Sequence, residues 1–357
     1  MMKQETLNKI RNEKTLSSER RNSNMRGHST AWPKRLGALA LVASALLCAF
    51  PVFAAREIRD DLFSVSFGDE KQGWAAGRWG SMLHTADGGQ TWEKQETGVD
   101  HTLSSVSFVD EKNGWAVGDR GTILHTTDGG KTWEKQKSPV PYFLMGVQFV
   151  TKDEGWIVTE RTNILHTTDG GKTWNLQFQD QDFILKAVSF CDARTGWAVG
   201  EYGYVYHTTD GGKTWTHQAG EFRFSEETGE VVGGNFLFDV AAVNPQTAWV
   251  VGIDGYVAKT VDAGKTWQKQ MTGVPKTHLF GVTVGEKGVL IAGDATLLRT
   301  ADGGATWRGV VVEPSIKYGW LYRIGKRGKE GFVAVGQAGW IYRADAKAGA
   351  WKGAGDR

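Results

Sequence analysis

From about residue 62 to residue 351, apolar and polar positions alternate in short runs that return in the same order at a nearly constant interval. In one such unit, Leu103 to Gln136, Val106 and Phe108 alternate with Ser105 and Ser107. That period of two marks a half-buried strand, whose successive side chains point to opposite faces. The same pair recurs in phase as Val65 and Phe67, Val147 and Phe149, and Val188 and Phe190. A glycine-bounded apolar run, Gly114 to Gly118, predicts a second strand, Thr122 to Thr126 a third, and Trp133 to Gln136 a fourth. Gly118 and Gly121 bracket one tight turn, while Asp128, Gly129 and Gly130 make another. Asp bonds backbone groups two residues on, and Gly accepts a positive φ.

The junction of third and fourth strands carries an octapeptide, Thr-x-Asp-x-Gly-x-Thr-Trp, that closes on Trp92, Trp133, Trp174, Trp215, Trp267 and Trp307. A degraded copy, Ala344 to Trp351, ends the series, and the seven tryptophans are spaced by 41, 41, 41, 52, 40 and 44 residues. A fixed period near 40 is the mark of units that cannot bury their own apolar faces and need neighbours. Seven four-stranded units without a helical period predict an all-β protein, a seven-bladed β-propeller of antiparallel strands from about residue 58 to 353. Its first strands should line a central channel. Closure is expected by direct contact of first and last blades, with Arg56 to Asp61 available as an added edge strand.

The first 54 residues differ. Basic and polar up to Arg35, they then run apolar from Leu36 to Phe50 and offer small residues at Val52-Phe53-Ala54. Met25 to Ala54 reads as a secretory signal cleaved after Ala54, with an uncleaved anchor as the alternative and either Met1 or Met25 as the start. Leu47 before Cys48 argues against a lipobox. Cleavage would leave one domain, residues 55–357, with a net charge of −4 against +2 for the whole chain, and Cys191 as its single cysteine. A mildly acidic domain without a basic stripe disfavours nucleic acid. One cysteine excludes an internal disulfide, so stability must come from the core and ring closure.

The octapeptide resembles the Asp box of bacterial-neuraminidase-type repeats. The fuller unit, Gly-Trp-Ala-Val-Gly-x-x-Gly-x-Ile-Leu-His-Thr-Thr-Asp-Gly-Gly-Lys-Thr-Trp, resembles the photosystem II stability/assembly factor family from about Leu62 to Trp351. The resemblance implies box aspartates that brace peripheral hairpins away from any active site. It implies a non-catalytic factor acting on a membrane-protein complex, with a photosystem II reaction-centre polypeptide as client where the host is photosynthetic. That family is also associated with an arginine-rich surface patch.

Periodic recurrence assigns most residues to structure. Fifteen of the sixteen tryptophans lie in the repeats and are expected to pack between blades, the box tryptophans included. His84, His125, His166 and His207 occur once per blade, too far apart to share a metal, so no metal and no cofactor is expected. The informative places are those where copies differ. Between second and third strands the copies read Arg78-Trp79, Asp119-Arg120, Glu160-Arg161 and Glu201-Tyr202, an arginine on three successive blades followed by a tyrosine, and Thr159 and Thr162 replace the turn glycines of the third copy. About eleven extra residues enter between His217 and Phe236, where Phe222 to Val232 alternates about a polar turn as a hairpin would. Arg with Trp and Tyr is the composition of interface hot spots. Arg78, Trp79, Arg120, Arg161, Tyr202, Phe222 and Arg223 are therefore the candidate protein-binding residues. The expected protein is an exported, monomeric binding factor in a periplasmic or lumen-like compartment, whose partner is an integral membrane protein. A sialidase-like glycoside hydrolase or carbohydrate-binding propeller is the alternative; the Tyr-Glu nucleophile pair of such enzymes has no match in the sequence.

Overall fold

A computed structural model describes residues 59–329 and 331–354. The signal segment, the two start codons and Cys48 lie outside the described residues. Seven antiparallel sheets follow one another around a ring. Blade 1 comprises Leu62–Phe67, Gly73–Gly77, Met82–Thr85 and Glu93–Gln95, and blade 2 comprises Leu103–Phe108, Gly114–Gly118, Thr122–Thr126 and Glu134–Gln136. Blades 3 to 7 begin at the strands Leu144–Phe149, Leu185–Phe190, Leu237–Asn244, Leu279–Gly285 and Leu321–Arg327. Each blade pairs its strands in chain order, and the first strands surround an axial cavity of about 370 Å³.

Seven hydrophobic clusters hold the ring, each spanning two neighbouring blades. Trp115, Val117 and Ile123 of blade 2, for example, pack with Leu144, Val147 and Phe149 of blade 3. The alternation explains this: the apolar face of one sheet is covered only by the next, as in any repeat array. The cluster of Leu62, Val65, Ala75 and Leu83 with Val333, Val335 and Ile341 closes the ring. Asp61 staples the same junction, accepting from Ala338 N at 2.9 Å and pairing with Arg78 at 3.2 Å.

Two expectations are corrected. Of the expected edge strand Arg56 to Asp61, residues 56–58 lie outside the described residues and 59–61 add no strand; the fifth strand of blade 7 is Val311–Glu313, which pairs in parallel with Ala350–Gly353 at the outer edge. Nor are the box tryptophans uniformly the buried rings. Trp133, just before the outer strand, is half-buried, whereas Trp74, Trp115, Trp156 and Trp197 on second strands are wholly buried, because the second strand lies deep in the sheet and the box at the periphery. Trp115 stacks on Phe149 of the next blade at 3.5 Å between centroids and donates Nε1–H to Gly170 O in that blade's box at 3.0 Å. Gln136 Nε2 donates to the same carbonyl at 2.9 Å.

The box aspartates do brace their hairpins. Asp128 accepts from the Thr126 hydroxyl, from Thr132 N and from the Thr132 hydroxyl at 2.9, 2.9 and 2.7 Å, and Thr126 Oγ1 accepts from Gly130 N at 2.8 Å. In blade 5 the Thr266 N–H, with the Thr266 and Thr260 hydroxyls, holds the Asp262 carboxyl down to about 2 from 3.8. A lowered carboxyl contributes stability that is complete above the unfolded pKa and lost as pH falls through the folded one. Asp262→Asn is therefore expected to lower the denaturation midpoint at pH 6, and the gap to wild type should shrink between about pH 4 and pH 2. A gap of constant size across denaturation curves at pH 6, 4 and 2.5 would contradict it.

His84, His125, His166 and His207 each lie against the buried tryptophan of their own blade, with centroids 5.0, 4.6, 4.9 and 4.5 Å apart. Burial holds all four imidazoles below the ordinary value. They fill the outer sheet as neutral rings.

Candidate protein-binding face

The link from second to third strand emerges on the face opposite the Asp boxes, beside the connection from one blade to the next. In blades 1 to 4 it is a three-residue turn: Arg78–Gly80, Asp119–Gly121, Glu160–Thr162 and Glu201–Gly203. The middle residue of each is left-handed, with φ of 59° at Trp79, 57° at Arg120, 65° at Arg161 and 54° at Tyr202. Such a backbone costs a non-glycine residue about 1–2 kcal/mol, so the surrounding bonds impose it. Blade 3 holds two in succession, since Thr162 has φ 52° and anchors its hydroxyl on Phe183 O at 2.8 Å.

The turns hold the copies in the register read from sequence, but they reduce three successive arginines to two equivalent ones. Trp79, Arg120, Arg161 and Tyr202 occupy equivalent places, while Arg78 stands one residue earlier and ties down Asp61. The face therefore projects one tryptophan, two arginines and a tyrosine from four consecutive blades. They lie along an arc, one per blade, and do not converge on a pocket. Trp79 is 68% exposed, and the Arg120 and Arg161 side chains are 71% and 54% exposed.

Each arginine has an internal partner. Arg120 reaches Asp119 at 3.7 Å, and Arg161 reaches Asp182 at 3.9 Å while its guanidinium lies 4.7 Å from the Tyr142 ring centroid. Exposed pairs of this length contribute at most about 1 kcal/mol, so a carboxylate brought by a partner can replace them. Glu160 and Glu201 are otherwise engaged: their carboxylates accept from Phe143 N at 3.0 Å and Ile184 N at 2.9 Å, pinning each turn to the inter-blade connection beside it.

The inserted segment is a hairpin, Phe222–Phe224 paired with Val231–Gly233. Its base packs on the fourth turn: Phe222 lies 4.7 Å from Tyr202 and 5.1 Å from Phe183. Arg223 pairs with Glu221 at 2.6 Å, and Phe224 is 62% exposed. The structure thus joins Tyr202 and Phe222 in one aromatic group and leaves Arg223 on the hairpin. Sequence reading missed Tyr142, Asp182 and Phe183, which come from the inter-blade connections. Their signal was the aromatic residue that opens blade 3 and blade 4, Tyr142 before Phe143 and Phe183 before Ile184, where blade 2 has His101-Thr102. Cys191 offers no chemistry here, since burial pushes its thiol up to about 11.

The family model described as photosynthesis system II assembly factor YCF48 matches residues 53–141, 132–225 and 227–356, and the chain belongs to that family. No curated protein matches by sequence. Among solved structures, one described as YCF48 bound to D1 peptide is 23% identical with a TM-score of 0.66, covering 81% of this chain and 92% of that one. YCF48 from Cyanidioschyzon merolae is 21% identical with a TM-score of 0.64, covering 81% and 96%. A GH74 xyloglucanase from Xanthomonas campestris reaches 0.64 at 13% identity, over 83% of this chain and 54% of that chain. At these identities the likenesses establish the fold.

Proposed function

We propose that this protein is a non-catalytic assembly factor that works outside the cytoplasm. It holds an extramembrane segment of a membrane-protein client against the turn face, the client being a photosystem II reaction-centre polypeptide where the host is photosynthetic. The observation that carries this reading is the exposed series Trp79, Arg120, Arg161 and Tyr202, whose arginines pair with exposed carboxylates that a partner can exchange. Family membership and the D1 peptide bound by a relative support a polypeptide client. An acidic segment would exchange Asp119 and Asp182 for its own carboxylates and lay apolar residues on Trp79 and the Tyr202–Phe222 group. A glycosidase would need two carboxyls facing each other across a cleft. On this face Glu160 and Glu201 are committed to backbone N–H groups.

The double variant Arg120→Glu with Arg161→Glu should fold with stability within about 1 kcal/mol of wild type, because both side chains are on the surface. Titrated with a D1 peptide, it should bind at least tenfold more weakly, since repulsion replaces attraction. Equal affinity in a folded double variant would move the site off this face.

A further inference from the structure

All seven first strands share an irregularity that the sequence does not announce. In each, pairing with the second strand skips one residue: Leu62 and Ser64 pair but Phe63 does not, Leu103 and Ser105 pair but Ser104 does not, and likewise onward to Leu321 and Arg323 about Tyr322. The skipped residues are Phe63, Ser104, Met145, Lys186, Phe238, Phe280 and Tyr322. A bulge re-aims the side chain it expels, and bulges are conspicuous beside binding sites. Here each bulge lies one or two residues above the channel lining, on the face that carries the turns.

The seven expelled residues are not alike. Four consecutive blades, 5, 6, 7 and 1, carry an aromatic ring, and the rings form a continuous crescent. Phe238 lies 5.1 Å from Phe280, Phe280 lies 5.3 Å from Tyr322, and Tyr322 lies 5.6 Å from Phe63. Phe236 and Trp320 extend it, at 5.1 Å from Phe238 and 6.0 Å from Phe63. None of the six belongs to any of the seven inter-blade cores, and all six remain partly exposed. They touch one another across three blade junctions yet keep part of each ring open to solvent. Blade 2 does without a ring at this place, since Ser104 donates its hydroxyl to Leu144 O at 2.6 Å.

We propose that the crescent is a socket at the mouth of the axial channel, seating one large apolar side chain of an extended acidic client segment. The inference rests on reading the turn face as the client-binding face. Charge complementarity chooses the occupant. The same face presents Arg120 and Arg161 on blades 2 and 3, and Lys186 is the one charged side chain among the seven bulges. A segment whose acidic residues meet these cations while an aromatic or long aliphatic residue enters the mouth satisfies both halves of the face. The turn arginines supply attraction and orientation, and the socket supplies the choice of side chain.

The test uses two fluorescein-labelled nonapeptides, Gly-Glu-Ser-Glu-Phe-Ser-Glu-Ser-Gly and the same sequence with Ser in place of Phe. The variants are Phe238→Ser with Phe280→Ser, which install the side chain that blade 2 carries, and separately Arg120→Glu with Arg161→Glu. By fluorescence anisotropy, the wild-type protein should bind the Phe peptide at least tenfold more tightly than the Ser peptide. The serine double variant should reduce that ratio below twofold, with its melting curve recorded to show that it is folded. The arginine variant should weaken both peptides while preserving the ratio. Equal binding of the two peptides by wild type, absence of binding included, overturns the socket, as does an unchanged ratio in the serine variant. If the arginine variant keeps full affinity for D1 peptide while the Phe-to-Ser ratio stands, the reading of the turns fails and the socket survives.

Discussion

Replacing Trp115 by Ala is expected to cost about 3–5 kcal/mol, and Trp133→Ala clearly less. Trp115 is wholly buried, stacks on Phe149 of blade 3 and caps Gly170 O in that blade's box, so its loss opens a cavity and removes a donor at one blade junction. Trp133 meets Phe108 edge-on at 6.0 Å and is partly exposed at the rim. Denaturant unfolding of both variants checks the order. Equal losses would mean that the outer strand matters as much to the junction as the second strand does.

Asp239→Ala is expected to lose a comparable amount, about 3–5 kcal/mol, for a different reason. Inside the channel the buried Asp239 carboxylate pairs with Arg323 of blade 7 and accepts from Val282 N of blade 6 at 2.9 Å, bridging three blades. Burial disfavours the Arg323 charge, but Asp239 outweighs it and the guanidinium pKa is raised. Removing the carboxylate alone strands both a cation and an N–H. The double variant Asp239→Ala with Arg323→Ala should therefore lose less than the sum of the two single variants, and a double-mutant cycle measures the difference. A loss below about 1 kcal/mol for Asp239→Ala would show that water in the channel replaces the pair.

The ring was legible because its signal is periodic. Val106 and Phe108 returning in phase, and the box returning at 41 residues, specify strands and count them without any tertiary information. What sequence could not show was the role that depth assigns. Trp115 and Trp133 are the same residue type in the same unit, and only position in the sheet makes one an inter-blade wedge and the other a rim residue. The serines alternating with Val106 read as the solvent side of a strand. In fact Ser105 Oγ and Ser107 Oγ accept from Val147 N and Phe149 N of the next blade, at 3.2 and 3.0 Å, and lace the channel wall. The candidate face was half legible. Its turns, with Trp79 opposite Arg120, were visible where copies differ, but the tie of Arg78 to Asp61 was not. Tyr142 and Asp182 come from the inter-blade connections, whose contacts with Arg161 no sequence pattern gives. The crescent stayed hidden because a bulge is a pairing event, and Phe238 in the sequence is simply an apolar residue between Leu237 and Asp239.

The ring closes on an unconnected junction, where Asp61 meets Ala338 across 277 positions of chain and the apolar side chains of blade 1 meet those of blade 7. A polypeptide is made from its N-terminus, so blade 1 exists long before the partner for Leu62, Val65 and Leu83 has been synthesised. Until Val333, Val335 and Ile341 arrive, the chain is an open arc with an apolar face at each end, and the channel mouth, which takes rings from blades 5, 6, 7 and 1, does not exist. Completion of the last forty or so residues is thus the step at which a string of hairpins becomes a closed ring, and a nascent or truncated chain lacks the channel mouth.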